Sequence, residues 1–156
     1  MNARCIEGKL DGSGKKFAVV AARWNSIFTE QLLSGAVGAL QAHGVSPENI
    51  TVVRVPGSFE IPVACKRLAF SRHYDGVVAV GTLIRGDTDH YDLIAKEVTS
   101  GIQRVMMESG VPVTFGVITA NNMEQAMARS GSKAGNKGAE AATAAVELAN
   151  VLPLIE

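Results

Sequence analysis

The side chains best suited to chemistry occur together in one short segment, where an apolar run ends and the sequence continues as RGDTDH from Arg85 to His90. Gly86 lets a ligand approach the backbone, and helix-start amides with the Thr88 hydroxyl favour a phosphate, which the Arg85 guanidinium could also hold. His90 lies about one turn from that anion site, and its imidazole could act there as a general acid or base. Asp87 opposes an anion unless its side chain points away. The motif alone is weak, and a satisfied surface or core histidine is the plainer alternative.

Two other apolar runs are followed by residues that could bind a ligand. Trp24 comes after the first run, and its indole could stack on a planar heterocycle or serve as a buried anchor. The neighbouring Asn25 is more simply a helix N-cap. After the second run, Ser58, Phe59 and Glu60 offer a hydroxyl, free amides and a carboxylate, which suit a polyhydroxylated ligand as well as ordinary helix capping.

Valine-rich apolar runs predict the strands that position these residues, at 16–22, 50–55, 76–84 and 113–119. Because the runs do not alternate with polar residues, they are typical of a parallel sheet covered by helices on both faces. Helical periodicity predicts helices at 26–43, 59–71, 90–109, 122–130 and 136–151. This order predicts a three-layer α/β/α fold with a four-stranded, mainly parallel, flavodoxin-like sheet. Ligands of such sheets bind at the carboxyl ends of the strands, where the groups above fall.

The composition is that of a single domain, predicted to span 1–156 with residues 1–15 as an N-terminal arm. Hydrophobic residues make up 47% and charged residues 19%, with a formal net charge of zero, which argues against disorder and gives no reason to expect nucleic acid. Cys5 and Cys65 lack metal-binding spacing, so two reduced thiols and no metal are expected. No segment resembles a signal peptide or membrane span, which predicts a soluble cytoplasmic protein without a membrane partner. Residues 4–10 could be an edge strand, with a neighbouring subunit as a candidate recipient.

Three charged residues flank the loop at 131–135 between the last two predicted helices. Lys137 and Glu140 are three residues apart, which predicts an ion pair on the helix surface. Arg129 could instead close on a phosphate with the planar fork of its guanidinium.

Together these segments resemble the 6,7-dimethyl-8-ribityllumazine synthase family. The matching pieces are RWN at 23–25, VPGSFEIP at 55–62, GTLIRGDTDHYD at 81–92, FGVIT at 115–119, EQAMAR at 124–129 and GNKGAEAA at 135–142. The resemblance implies a transferase of riboflavin biosynthesis, which condenses 5-amino-6-(D-ribitylamino)uracil with 3,4-dihydroxy-2-butanone 4-phosphate to the lumazine, phosphate and water. It implies no metal and no organic cofactor.

The resemblance also implies a role for each candidate residue. His90 would transfer protons, and Trp24 would stack on the ring at a position that the family usually fills with phenylalanine. The other implied contacts are Ser58 and Glu60 to the ribityl chain, Phe59 in the pocket wall, the backbone of Thr82, Leu83 and Ile84 to the heterocycle, and Gly86, Asp87, Thr88 and Arg129 to the phosphate.

Family members form homopentamers with sites between adjacent subunits, so the resemblance implies that Phe115, Arg129 and Lys137 come from the neighbour. Some members assemble twelve pentamers into a sixty-subunit shell. The short loop GSKAGNKG at 131–138 resembles that type and favours the shell. Association with riboflavin synthase is a further implied partnership. Since Trp24 departs from the family pattern, a non-catalytic flavin-binding or shell-forming paralogue is the alternative.

Overall fold

A parallel sheet of four strands forms the centre of the computed structural model, which describes residues 2–132 and 135–156. The strands are β1 (Phe17–Ala22), β2 (Ile50–Val55), β3 (Gly76–Ile84) and β4 (Val113–Ala120). They lie side by side in the order β2-β1-β3-β4, and every pairing is parallel. β1 and most of β3 are buried, which explains their uniformly apolar sequences. The predicted strands are confirmed to within one residue at each end.

The helices cover the two faces of this sheet. They are α1 (Ser26–Ala42), α2 (Ile61–Phe70), α3 (His90–Ser109), α4 (Met123–Arg129) and α5 (Lys137–Val151). One apolar cluster joins α1 and α5 to the sheet through residues such as Leu32 and Val146. A second cluster joins α2 and α3 to the opposite face through residues such as Ile61 and Ile102. The three-layer α/β/α prediction is confirmed.

Two predictions at helix starts are wrong. The helix predicted from 59 begins at Ile61, because Ser58–Glu60 forms a separate 3₁₀ turn. Asn25 does not cap α1 with its side chain: its backbone is left-handed, with φ of 58°, and its Nδ2 donates to the Thr82 carbonyl at 2.8 Å. A contact across the sheet edge has therefore replaced the local one.

The N-terminal arm lies against α5 and the end of α1. Asn150 Nδ2 donates to the carbonyls of Lys9 and Asp11 at 2.6 and 2.9 Å, and the Gly12 amide donates to the His43 carbonyl at 2.7 Å. Among residues 2–15 the structure assigns no strand, so the edge strand expected at 4–10 does not form within this chain.

Within residues 2–132 and 135–156, no helix is both long and apolar enough to cross a membrane. The same described residues contain no cluster of three or more His, Cys, Asp or Glu side chains that could hold a metal ion. Cys5 is exposed and Cys65 is buried, both as free thiols. Burial raises the pKa of the Cys65 thiol to about 12.

Candidate active site

A cleft of about 230 Å³ opens at the carboxyl ends of β1 and β3. It gathers many of the site residues that the sequence predicts: Trp24, Ser58, Phe59, Leu83, Ile84, Gly86, Thr88 and His90. Its lining also includes Asn25, Tyr91 and Ile94. These segments lie far apart in the sequence, and the parallel strands bring them to one edge of the sheet.

Trp24 is an exposed plate on the wall of this cleft rather than a buried anchor. The side chain is 65% exposed, and its inner surface rests on Gly57, where a Cβ would come within 2.5 Å of indole Cε3. The Trp24 carbonyl accepts a hydrogen bond from Thr29 Oγ1 at 3.2 Å, and the adjacent Asn25 is tied to β3. Both contacts fix the turn that carries the indole.

Ser58 and Phe59 begin the 3₁₀ turn that forms the floor of the cleft. Ser58 is 5% exposed and lies directly over Gly81, where a Cβ would come within 2.8 Å of the Ser58 Oγ. Phe59 is 62% exposed and faces the opening. Gly57 and Gly81 are therefore needed for the close packing of Trp24 and Ser58.

β3 extends beyond its neighbour β1. Its pairing with β1 ends at Val80, whereas its pairing with β4 continues to Ile84. The Arg85 amide donates to the main chain of β4, so the alternation along a strand points the peptide groups of Thr82 and Ile84 to the β1 side. Asn25 occupies the Thr82 carbonyl. The Ile84 amide and carbonyl project past the end of β1 into the cleft.

The segment from Gly86 to His90 forms the remaining wall. The Thr88 Oγ1 accepts a hydrogen bond from the His90 amide at 3.4 Å, which shapes the turn just before α3. Apart from its chain neighbours, no described residue places an atom within 4 Å of the Cβ position at Gly86, so this glycine borders open space. Donor groups and an imidazole thus border one space that a phosphorylated ligand could enter.

The Arg85 guanidinium does not point into this cleft, although the sequence suggested that it could hold the phosphate. Its Nη atoms donate to the two Asp92 carboxylate oxygens at 3.1 and 3.0 Å, and its Nε donates to Asn121 Oδ1 at 3.2 Å. Hydrogen bonding to Asp92 raises the pKa of Arg85 above its ordinary value. The guanidinium is committed to groups of its own chain.

A second cleft, of about 380 Å³, lies along β4 and takes in Phe115, Thr119, Arg129 and Lys137. The Arg129 Nη1 donates to the Thr119 carbonyl at 2.8 Å, which fixes a half-buried guanidinium that has further donors. Lys137 Nζ lies 3.3 Å from Glu140 Oε2, which confirms the predicted ion pair. Among the described residues, the two cleft linings share no member.

Three predicted residues line neither cleft. Thr82 is 2% exposed and lies behind the first cleft, while Glu60 and Asp87 are next to lining residues along the chain. Sequence reasoning in turn missed Tyr91 and Ile94 as lining residues. For Ile94 the spacing from His90 on α3 was the available signal, since positions i and i+4 share one helix face. Tyr91 directly follows His90 and carries no such signal.

The fold and this cleft define a class: an open α/β protein whose strand ends hold an aromatic plate, backbone donors and an imidazole. A family model described as 6,7-dimethyl-8-ribityllumazine synthase matches residues 14–153. Two proteins named 6,7-dimethyl-8-ribityllumazine synthase, from Nitratidesulfovibrio vulgaris strains DP4 and Hildenborough, are each 49% identical over 152 residues, covering 97% of this chain and 97% of each relative. The chain belongs to the 6,7-dimethyl-8-ribityllumazine synthase family.

Proposed function

We propose that this chain is a transferase of riboflavin biosynthesis, which condenses 5-amino-6-(D-ribitylamino)uracil with 3,4-dihydroxy-2-butanone 4-phosphate. The products are 6,7-dimethyl-8-ribityllumazine, inorganic phosphate and water. Family membership supports the reaction. The observation that carries it to particular residues is the first cleft, where the exposed Trp24 plate faces the Gly86–His90 segment.

The cleft offers a distinct wall to each part of the two substrates. Trp24 presents a free indole face for the pyrimidine ring, and the Ile84 peptide group can pair with the polar edge of that ring. Ser58 and Glu60 are assigned to the ribityl hydroxyls, and Phe59 to the pocket wall. Glu60 ends the 3₁₀ turn that begins at Ser58. The backbone of Thr82 and Leu83 holds this strand end in place, since Asn25 binds the Thr82 carbonyl and Leu83 pairs with β4.

The phosphate is assigned to the segment before α3. Gly86 and Asp87 contribute amides, Thr88 contributes its hydroxyl, and the start of α3 adds a favourable dipole. Asp87 is not a lining residue of the cleft, which lessens the expected conflict between its carboxylate and an anion. Arg129 adds a cation, since no lysine or arginine lines the first cleft in the part of the chain that the structure describes.

The proposed chemistry is a series of proton transfers. The amine of the uracil attacks the ketone and a first water leaves to give a Schiff base. Phosphate then leaves by β-elimination, and the resulting enol becomes a ketone. The second amine attacks that ketone, and loss of a second water closes the ring. His90 borders the cleft and can give and take a proton at these steps. Holding two reactive substrates together supplies much of the acceleration, and the reaction needs no metal or organic cofactor.

We further propose that each site is completed by a neighbouring copy in a homopentamer, to which Phe115, Arg129 and Lys137 belong. Their separate location on β4, α4 and α5 supports a second copy as the source. Twelve pentamers in a sixty-subunit shell is the favoured assembly, with the 1–15 arm of the 1–156 domain reaching a neighbour. The loop at 131–138 that favours the shell includes Lys133 and Ala134, which lie outside the described residues. A cytoplasmic location and association with riboflavin synthase complete the proposal.

One observation favours a second function. The broad, exposed Trp24 plate would also suit a bound flavin, as in a non-catalytic flavin-binding or shell-forming relative.

Incubation of the purified protein with both substrates tests the proposal. We expect lumazine fluorescence to appear with one phosphate released per lumazine, and only when both substrates are present. Flavin binding without lumazine formation would favour the second function. The mass from light scattering separates the assemblies, since a value near that of five chains would refute the shell.

A further inference from the structure

Arg85 connects three elements around the segment that carries the proposed phosphate site. It stands at the end of β3 and donates from both Nη atoms to Asp92 in the first turn of α3. Its Nε donates to Asn121, which follows β4. The Asn121 amide is itself held by Gln125 of α4 at 2.8 Å. The Arg85 side chain therefore joins the two ends of the 86–89 turn to each other and to the connection between β4 and α4.

An aromatic contact adds to this arrangement. The guanidinium carbon of Arg85 lies 4.5 Å from the centre of the Tyr91 ring, within the range of a cation–π contact. Tyr91 lines the first cleft beside His90, so the contact links the clamp directly to the cleft wall. We use the name Arg85 clamp for Arg85, Tyr91, Asp92 and Asn121.

Because the clamp is exposed, we expect it to orient the turn rather than to add folding stability. The Arg85 and Asp92 side chains are 44% and 58% exposed, and ion pairs this open to water contribute little to folding stability. A guanidinium nevertheless meets a carboxylate in one planar, two-point geometry, which lysine cannot reproduce. The pair can thus fix the direction in which α3 leaves the turn without being essential to the fold.

We propose that Arg85 is a positioning residue, whose clamp sets the placement of the 86–88 phosphate donors relative to the His90 imidazole. The inference rests on the proposed function, in which phosphate departure and proton transfer occur side by side. Arg85 touches neither substrate; it acts through the turn and the first residues of α3.

Arg85→Lys is the test variant, and Arg54→Lys is its matched control. Arg54 forms the same kind of two-point pair with Glu30, at 40% and 47% exposure, and neither residue lines either cleft. We expect Arg85→Lys to lower kcat about tenfold or more and to raise KM for the butanone phosphate. KM for the uracil should stay unchanged, since Trp24 and Ser58 follow β1 and β2, whereas Arg85 follows β3. Arg54→Lys should change none of these constants.

A double-variant cycle tests whether the clamp acts as one unit. If it does, Asp92→Asn should lower kcat similarly, and the variant with both changes should be little worse than either. Additive losses would overturn the proposal. So would equal kinetic constants for Arg85→Lys and Arg54→Lys.

Amide hydrogen exchange and inorganic phosphate titration keep the test independent of turnover. Arg85→Lys should speed exchange over 86–93 and weaken phosphate binding, whereas Arg54→Lys should leave both as in the wild type. If the wild type itself forms no lumazine, the proposed function fails, and these two readings alone decide the clamp. Unchanged exchange and phosphate affinity in Arg85→Lys would overturn it.

Discussion

The cleft beside Trp24 and the cleft along β4 differ in the chemistry that each one carries. The cleft beside Trp24 has an aromatic plate, hydroxyls, backbone donors and an imidazole, but no lysine or arginine lines it among the described residues. The cleft along β4 has Arg129 and Lys137 beside Phe115, but no histidine or carboxylate within its described lining. Each holds what the other lacks. In the proposed reaction an anion leaves while protons move, so both sets of groups are needed at one place.

Removal of the imidazole should give the largest effect. We expect His90→Ala to lower kcat by about 10²- to 10⁴-fold, the range typical of a lost general acid or base, while substrate binding is largely kept. Stopped-flow measurement of lumazine formation checks the rate, and equilibrium titration with a substrate analogue checks binding. Near-normal turnover would remove His90 as the proton-transfer residue.

Removal of the cation from the second cleft should weaken phosphate binding. We expect Arg129→Ala to raise KM for the butanone phosphate about ten- to a hundredfold, because a charge-assisted hydrogen bond contributes about 1.5–3 kcal/mol. KM for the uracil should change little. Arg67→Ala, on the exposed side of α2, is the control and should behave as the wild type. The assignment of the second cleft fails if both variants have the same KM.

Co-assembly of the two defective chains tests whether the clefts meet across subunits. At a butanone phosphate concentration well below KM, coexpressed His90→Ala and Arg129→Ala chains should show about a quarter of the wild-type activity, since a random mixture pairs two intact halves in about that share of sites. Chains bearing His90→Ala and Ser58→Ala, both changed in the first cleft, should show only the mean of the activities that the two variants have separately. The same mean value for the first mixture would show that one chain holds the whole site.

A smaller change at the plate separates catalysis from flavin binding. Trp24→Phe should weaken riboflavin binding about two- to threefold, because less aromatic surface remains to stack, and should keep turnover. Fluorescence quenching of riboflavin gives the affinity. An unchanged affinity would mean that the indole does not stack on the ligand.

Thiol labelling should have no effect on activity and serves as the reference for the variants. Because the Cys65 thiol is buried with a pKa of about 12, it remains protonated at pH 8, and iodoacetamide should modify only Cys5. The thiolate becomes the major form only as the pH rises through that value. Mass spectrometry counts the modified thiols. Labelling of Cys65 in any variant would indicate that its core has opened, and a lost activity could then not be assigned to a cleft.

Much of the fold follows from the sequence because its signals are local. The valine-rich runs predict the strands, and the strand-end rule predicts which turns meet at the first cleft. Contacts between side chains and residues outside their own local segment could not be predicted from the sequence. The Asn25 amide bonds to Thr82 rather than its own helix, and the Arg85 guanidinium turns to Asp92 rather than to an anion. Each side chain also has a common local role, such as capping a helix or binding an anion. Which role it takes depends on neighbours that only the folded structure brings close.

The overhang of β3 past β1 has a consequence for sequence variation. A ligand held by the Ile84 peptide group is bound by the main chain, so this contact does not depend on the identity of the side chain at that position. The contact instead requires that β3 remain longer than β1 at this end of the sheet. Extension of the β1 pairing to position 25, opposite Ile84 in the observed register, would occupy the Ile84 peptide group and abolish the contact, although every cleft side chain remained the same.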